Sequence, residues 1–270
     1  EVYPDDESSY GFVGAWALYP HVAIDFADYY DEGNLIELHQ YGASIFPQFL
    51  TDVVADWQLV RDAWVSGGGN GDPLDELDGL LGAAGTDIRS AFGDFARRFP
   101  LWDYPRGAQY EYWSDDYADW YPHEDHRVAA TVGSKGTSGW DHAPAETLPA
   151  AFGINVIELT PDSRTIDVSV RAAAEGSRGS ASTLRAYVAS RSGSAEAYAE
   201  LVFDGDTGSV EVDANVAELY LVVVPLPASD QGVDETFYYD YRVDAGAGGS
   251  KNRSCSVGTL DSGLSGSALI

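Results

Sequence analysis

The 270 residues predict an α+β protein: an N-terminal α-helical subdomain followed by a C-terminal antiparallel β-sandwich of immunoglobulin or jelly-roll kind. Three observations carry this expectation. From Leu35 to Phe99 the apolar residues recur at intervals of three and four, the helical period. Beyond about Gly153 they alternate at intervals of two. Between these stretches, Trp102 to Trp140 is dense in Trp and Tyr set among Asp and Pro. The chain divides accordingly into a helical subdomain (1–110), an aromatic-rich connector (111–152), a sandwich (153–245) and a flexible Gly/Ser-rich tail (246–270).

Within the first part, Tyr41, Ile45, Phe46, Phe49, Leu50, Val53 and Val54 lie on one stripe of a helix of about four turns. Pro47 falls inside it and should kink the helix or mark a first turn. A short second helix carries Trp57, Val60 and Trp64 and stops at Gly67-Gly68-Gly69-Asn70-Gly71. Asp72-Pro73 reads as a cap followed by proline at the first helical position, with Leu74, Leu77, Leu80 and Leu81 turned inward. Thr86-Asp87 caps a last helix that buries Ile88, Phe92, Phe95 and Phe99 and places Arg97 and Arg98 near its negative end.

In the second part the strand candidates are 154–159, 165–170, 184–188, 199–203, 218–224 and 237–243, each short and rich in β-branched or aromatic residues. Asp204-Gly205-Asp206-Thr207-Gly208 is a hairpin turn by composition; its two aspartates lack the further ligands of an EF-hand loop. The aromatic connector reads first as packing between the two halves, and second as a surface for stacking carbohydrate.

Charge excludes whole classes of partner. Fifteen basic residues stand against 44 acidic ones, a net charge of −29, which repels phosphate backbones and anionic lipid. High-salt solubility, loosely held divalent cations and attraction of basic partners all explain such a surface, and solubility is the simplest. Cys255 is the only cysteine, so neither an intrachain disulfide nor a Cys-based zinc site can be built. No segment reaches the roughly 18 apolar residues of a membrane helix. The sequence begins at Glu1 and contains no methionine, the pattern of a processed product or of a piece of a longer reading frame.

The usual catalytic motifs, HExxH, GxSxG, a Walker loop or paired CxxC, do not occur. His123-Glu124-Asp125-His126 has metal-binding residue types with the wrong spacing and reads as a polar loop. His142, in Trp140-Asp141-His142-Ala143-Pro144, is placed in another loop, and His21 follows Pro20 as a structural or exposed residue. Asp5-Asp6-Glu7 and Asp115-Asp116 are solvated acidic faces.

A family resemblance adds to this reading. Glu1-Val2-Tyr3-Pro4-Asp5, Tyr41-Gly42-Ala43 with Phe46, Phe49 and Leu50, Val60 with Trp64, the leucines from Leu74 to Leu81, Phe92 with Phe95-Ala96, and Trp102-Asp103-Tyr104-Pro105 together resemble a segment of secreted bacterial gluzincin-type zinc metallopeptidase-like proteins. The likeness covers about the first 110 residues and matches the region that follows the active site. It implies that the HExxH helix and the helix bearing a glutamate ligand would precede Glu1, with zinc in the parent protein and no cofactor in this chain. It also implies that His39-Gln40-Tyr41-Gly42 falls where the family carries Tyr-x-Lys-Gly, so that His39 or Tyr41 would stabilise a developing oxyanion beside the zinc. The tail, Ser254-Cys255-Ser256-Val257-Gly258 with Leu260 and Leu264 following, resembles the start of a myxobacterial-type C-terminal sorting tail.

Two functional expectations follow. One is a fragment of a secreted or cell-surface zinc metallopeptidase-like protein, inactive by itself and meeting a peptide or protein substrate through its parent. The other is a non-catalytic extracellular binding or adhesion module that recognises carbohydrate or protein.

Overall fold

The computed structural model describes residues 8–27, 36–66, 73–120, 128–130, 139–172, 183–227 and 236–246. Helices fill the N-terminal part, and two five-stranded sheets, antiparallel but for one pair, follow as a β-sandwich, in agreement with the α+β expectation.

Seven α-helices are described: α1 (Ser8–Leu18), α2 (Ile36–Gly42), α3 (Ile45–Phe49), α4 (Trp57–Ser66), α5 (Pro73–Ala83), α6 (Ile88–Arg98) and α7 (Gly107–Trp120). The single stripe expected from Tyr41 to Val54 is broken into three pieces. Pro47 cannot donate a backbone hydrogen bond, so the chain restarts as α3 with Pro47 in its first turn. A π-turn, Leu50–Val54, then closes through Ala55 N to Leu50 O at 2.8 Å. This extra residue per turn rotates the stripe: Ile45, Phe46, Phe49 and Leu50 stay buried while Val53 turns to solvent.

Pro73 opens α5, and Leu74, Leu77 and Leu81 are buried as expected, with Leu80 half-buried. At α6 the Asp87 carboxylate accepts from Ser90 N at 2.9 Å, the expected cap, and Ile88, Phe92 and Phe95 face inward with Phe99 just beyond. Two helices lie outside the expected set. In α1 every residue from Val13 to Leu18 is buried, so no polar face marks the helical period. Helix α7 runs into the aromatic connector, with Tyr110 buried against Tyr104.

The first sheet has the order β1-β3-β9-β5-β6 and the second β2-β10-β4-β8-β7. Their strands are β1 (Val128–Ala130), β2 (Asp141–His142), β3 (Asn155–Leu159), β4 (Thr165–Ala172), β5 (Leu184–Ser192), β6 (Ala195–Glu200), β7 (Val202–Asp204), β8 (Thr207–Asp213), β9 (Glu218–Pro225) and β10 (Tyr239–Ala245). Strands are found at all six expected segments, five of them as single strands. Strand β8 supplies a seventh long one, and the expected 199–203 strand spans β6 and β7, which belong to different sheets. The hairpin at Asp204 is confirmed: Asp204 pairs with Thr207, and Gly205 takes the positive φ of +63° that such a tight turn requires. His142, expected in a loop, sits in β2 and pairs with Asp240 of β10; two residues are too few to show a period in sequence.

The first sheet lies between the helices and the second sheet. Ala186, Tyr187, Val188 and Ala189 are consecutive on β5 and all buried, which requires cover on both faces. Helix α6 provides it on one side, where Phe92 meets Phe152 edge to face at 5.4 Å. Ile166, Val168 and Val170 of β4, with Tyr239, Tyr241 and Val243 of β10, provide it on the other. Helices and sandwich therefore share one apolar core that runs from Trp16, Phe46 and Phe95 through Val222 to Val243. The segment entering β3 is pinned to the end of α1 by Ala150 N to His21 O at 2.8 Å. A Cβ at Gly153 would stand 2.2 Å from that same carbonyl, so only glycine fits. No helix among the described residues is long and apolar enough to cross a membrane.

Candidate functional site

Helix α4 is amphipathic in an unusual sense, with an inward face and an aromatic outward one. Leu59 is buried, and Val60 and Ala63 pack beside it on the core. Trp57, Arg61 and Trp64, spaced four and three, form the opposite stripe. Trp57 is 57% exposed and Trp64 87%, with Val65 exposed beside it. A tryptophan so open is an outlier, because its large apolar surface is normally covered. The Arg61 guanidinium stands 5.0 Å from the Trp57 ring centroid and is held by Asp62 at 2.6 Å. The sequence placed Trp57 and Trp64 on a helix; only the packing of Leu59 and Val60 on the core shows that both rings point away from it.

A second polar constellation covers the outer face of the second sheet. Asp240 of β10 is only 3% exposed. Arg171 of β4, directly opposite in register, reaches its Oδ2 through Nε and Nη2, each at 2.8 Å. His142 of β2 places Nδ1 2.5 Å from Oδ1, while 75% of its side chain stays exposed. Trp140 lies across both arginines, 4.5 Å from Arg171 and 4.8 Å from Arg242. The ring is thus engaged by cations of its own chain. None of Asp240, Arg171 or Arg242 was marked by sequence, because a cross-strand pair 69 residues apart leaves no local pattern.

The two residues singled out by sequence, His39 and Tyr41, both lie on α2 and face opposite ways. His39 is 0% exposed, near Phe26, and neither ring nitrogen has a hydrogen-bond partner among the described residues. Burial, and secondarily the neighbouring His21, lowers its pKa from the usual 6.5 to about 3, so the ring is neutral. Tyr41 is 49% exposed and packs on Phe12 at 5.2 Å. His123, Glu124, Asp125, His126 and Cys255, and the tail beyond Gly246, lie outside the described residues. Among the described residues no three His, Cys, Asp or Glu side chains are grouped so as to hold a cation.

Fold and surface together define a helix-backed β-sandwich protein with an outward aromatic face on α4. Residues 14–245 match a family described as a family of unknown function, DUF6055, and the chain belongs to that family. Comparison with curated proteins gives no match. Among solved structures, the pre-peptidase C-terminal domain of a collagenase from Bacillus anthracis is similar at 16% identity and a TM-score of 0.31, over 44% of this chain and 94% of that one. PliG from Aeromonas hydrophila, a periplasmic inhibitor of g-type lysozyme, is similar at 17% identity and a TM-score of 0.22, over 44% of this chain and 97% of that one. Likenesses at these scores carry no argument about function.

Proposed function

We propose that this chain is a non-catalytic extracellular binding module that recognises a protein partner through the outer face of α4. The observation that carries this reading is the exposure of Trp57 and Trp64 on one stripe of a helix whose other stripe is already buried. Covering a tryptophan removes roughly 150–250 Å² from water. At about 25 cal/mol per Å² this contributes on the order of 4–6 kcal/mol before the costs of association. Tryptophan is also the residue type that most often dominates protein interfaces.

Carried on a longer secreted protein, such a module would hold protein for a catalytic unit. The N-terminal resemblance points to a zinc metallopeptidase as that unit. Of the two residues that resemblance would assign to the oxyanion, His39 and Tyr41, Tyr41 is the one open to solvent.

Panning a random-peptide display library against the full chain, with W57A/W64A as counter-target, tests the reading. Peptides retained by the wild type and lost on the double variant are expected. No enrichment, or equal enrichment on both, would overturn it.

A further inference from the structure

We infer, resting on the binding-module reading, that the partner of the α4 face is a basic protein segment that sets an arginine side chain on Trp64. Three features of the surface lead there.

First, the half-buried Trp140 and Tyr198 and the neighbouring Trp57 already carry guanidinium groups, whereas the exposed Tyr41 and Tyr112 carry none among the described residues. Arg61 stands over Trp57 at 5.0 Å, Arg97 over Tyr198 at 5.1 Å, and Arg171 and Arg242 over Trp140 at 4.5 and 4.8 Å. Among the described residues Trp64 has no such cation, although it is more exposed than any of these. A guanidinium from outside would complete on Trp64 the arrangement that Arg61 makes two helical turns away on Trp57.

Second, the ground around the face is acidic. Between residues 51 and 83 Arg61 is the only basic side chain, and it is held by Asp62. Asp56 precedes α4 and is exposed, and Asp75 and Asp78 are exposed on α5, which packs against α4; Asp52 is already paired with Arg106 at 3.5 Å. Carboxylates around an aromatic platform attract a cation and hold it over the ring, and they repel an anion.

Third, charge argues against the other occupants. A second copy would bring −29 against −29, and an anionic bilayer or nucleic acid meets the same repulsion.

The experiment is titration of the full chain with a nona-arginine peptide at physiological salt, for the wild type and W57A/W64A. The substitution leaves the net charge untouched, so attraction by bulk charge is common to both proteins. Roughly tenfold weaker binding by the double variant is expected, equivalent to about 1.4 kcal/mol, and a nona-lysine peptide should bind the wild type more weakly than nona-arginine. Equal affinity of the two proteins for nona-arginine would overturn the inference. So would a tryptophan-dependent dimer in sedimentation, or tryptophan-dependent binding to phosphatidylcholine vesicles, in place of peptide discrimination. Tryptophan-dependent ligands from the display library that carry no arginine would also overturn it while leaving the binding-module reading standing. Matching thermal melts of the two proteins are expected, because both rings are removed from the outside of the fold.

Discussion

The hydroxyl of Tyr198 on β6 donates to Asp103 Oδ2 at 2.8 Å, and Arg98 at the end of α6 reaches the same oxygen through Nη1 at 3.0 Å. One carboxylate thus joins the helical layer to the edge of the first sheet. Arg97 lies over the Tyr198 ring at 5.1 Å, and Arg191 of β5 donates to the carbonyl of Leu101 from the sheet side. Y198F removes one donor and is expected to cost about 1.5 kcal/mol, the usual loss for a hydrogen bond to a charged group. D103A, which also releases Arg98, should cost about 2 kcal/mol. Urea unfolding of both and of the double variant measures the coupling, expected near 1 kcal/mol.

Gly93 on α6 allows the helix to approach β5. A Cβ there would lie 2.5 Å from the Tyr187 hydroxyl, and Tyr187 is buried and cannot swing away. G93A is therefore expected to destabilise by about 1–3 kcal/mol through overpacking. In a Y187F background the obstructing oxygen is gone, and the same change should become neutral or stabilising by up to about 1 kcal/mol, the helical preference of alanine over glycine. Thermal melts of the four proteins in this cycle check the reversal of sign.

His39 predicts an acid sensitivity. Its pKa is about 3 when folded and 6.5 when unfolded, so between these values the unfolded chain binds the proton and the folded chain does not. Stability therefore falls as pH drops below about 6.5 and the loss is complete near 3, reaching roughly 2 kcal/mol at pH 5 from this group. H39L removes the titration and should narrow the gap in unfolding free energy between pH 7 and pH 5 by that amount. A gap as wide as in the wild type would show that the ring gains a proton without leaving its site.

Asp240 and His142 share a short contact but differ in burial, and the two ends should respond differently. D240N leaves Arg171 and His142 without their carboxylate and is expected to cost about 2 kcal/mol. H142A removes a side chain that is mostly in solvent and should cost under about 1 kcal/mol. Chemical denaturation of each variant gives the comparison.

Helices α5 and α6 were legible because each has one buried face, and Leu81 or Phe95 repeats at the helical interval along it. The long strands were legible for the same reason at an interval of two, as in Ile166, Val168 and Val170. Helix α1 was not, since its stretch from Val13 to Leu18 is buried on all sides and shows no contrast. Strands β6 and β7 read as one because the chain passes from one sheet to the other at Leu201, whose N bonds to Ala186 O, without a break in composition.

By itself the sequence determined the α+β class, the helix starts at Pro73 and Asp87, the hairpin at Gly205 and the acidic surface, all of which depend on neighbours within a few residues or on composition. Tertiary structure alone decided which side of α4 faces out, which carboxylate is buried beneath Arg171, and that His39 is enclosed while Tyr41 is open. Those outcomes depend on what packs from far along the chain, and a local apolar pattern records only that a residue is fit for burial, not whether anything arrives to bury it.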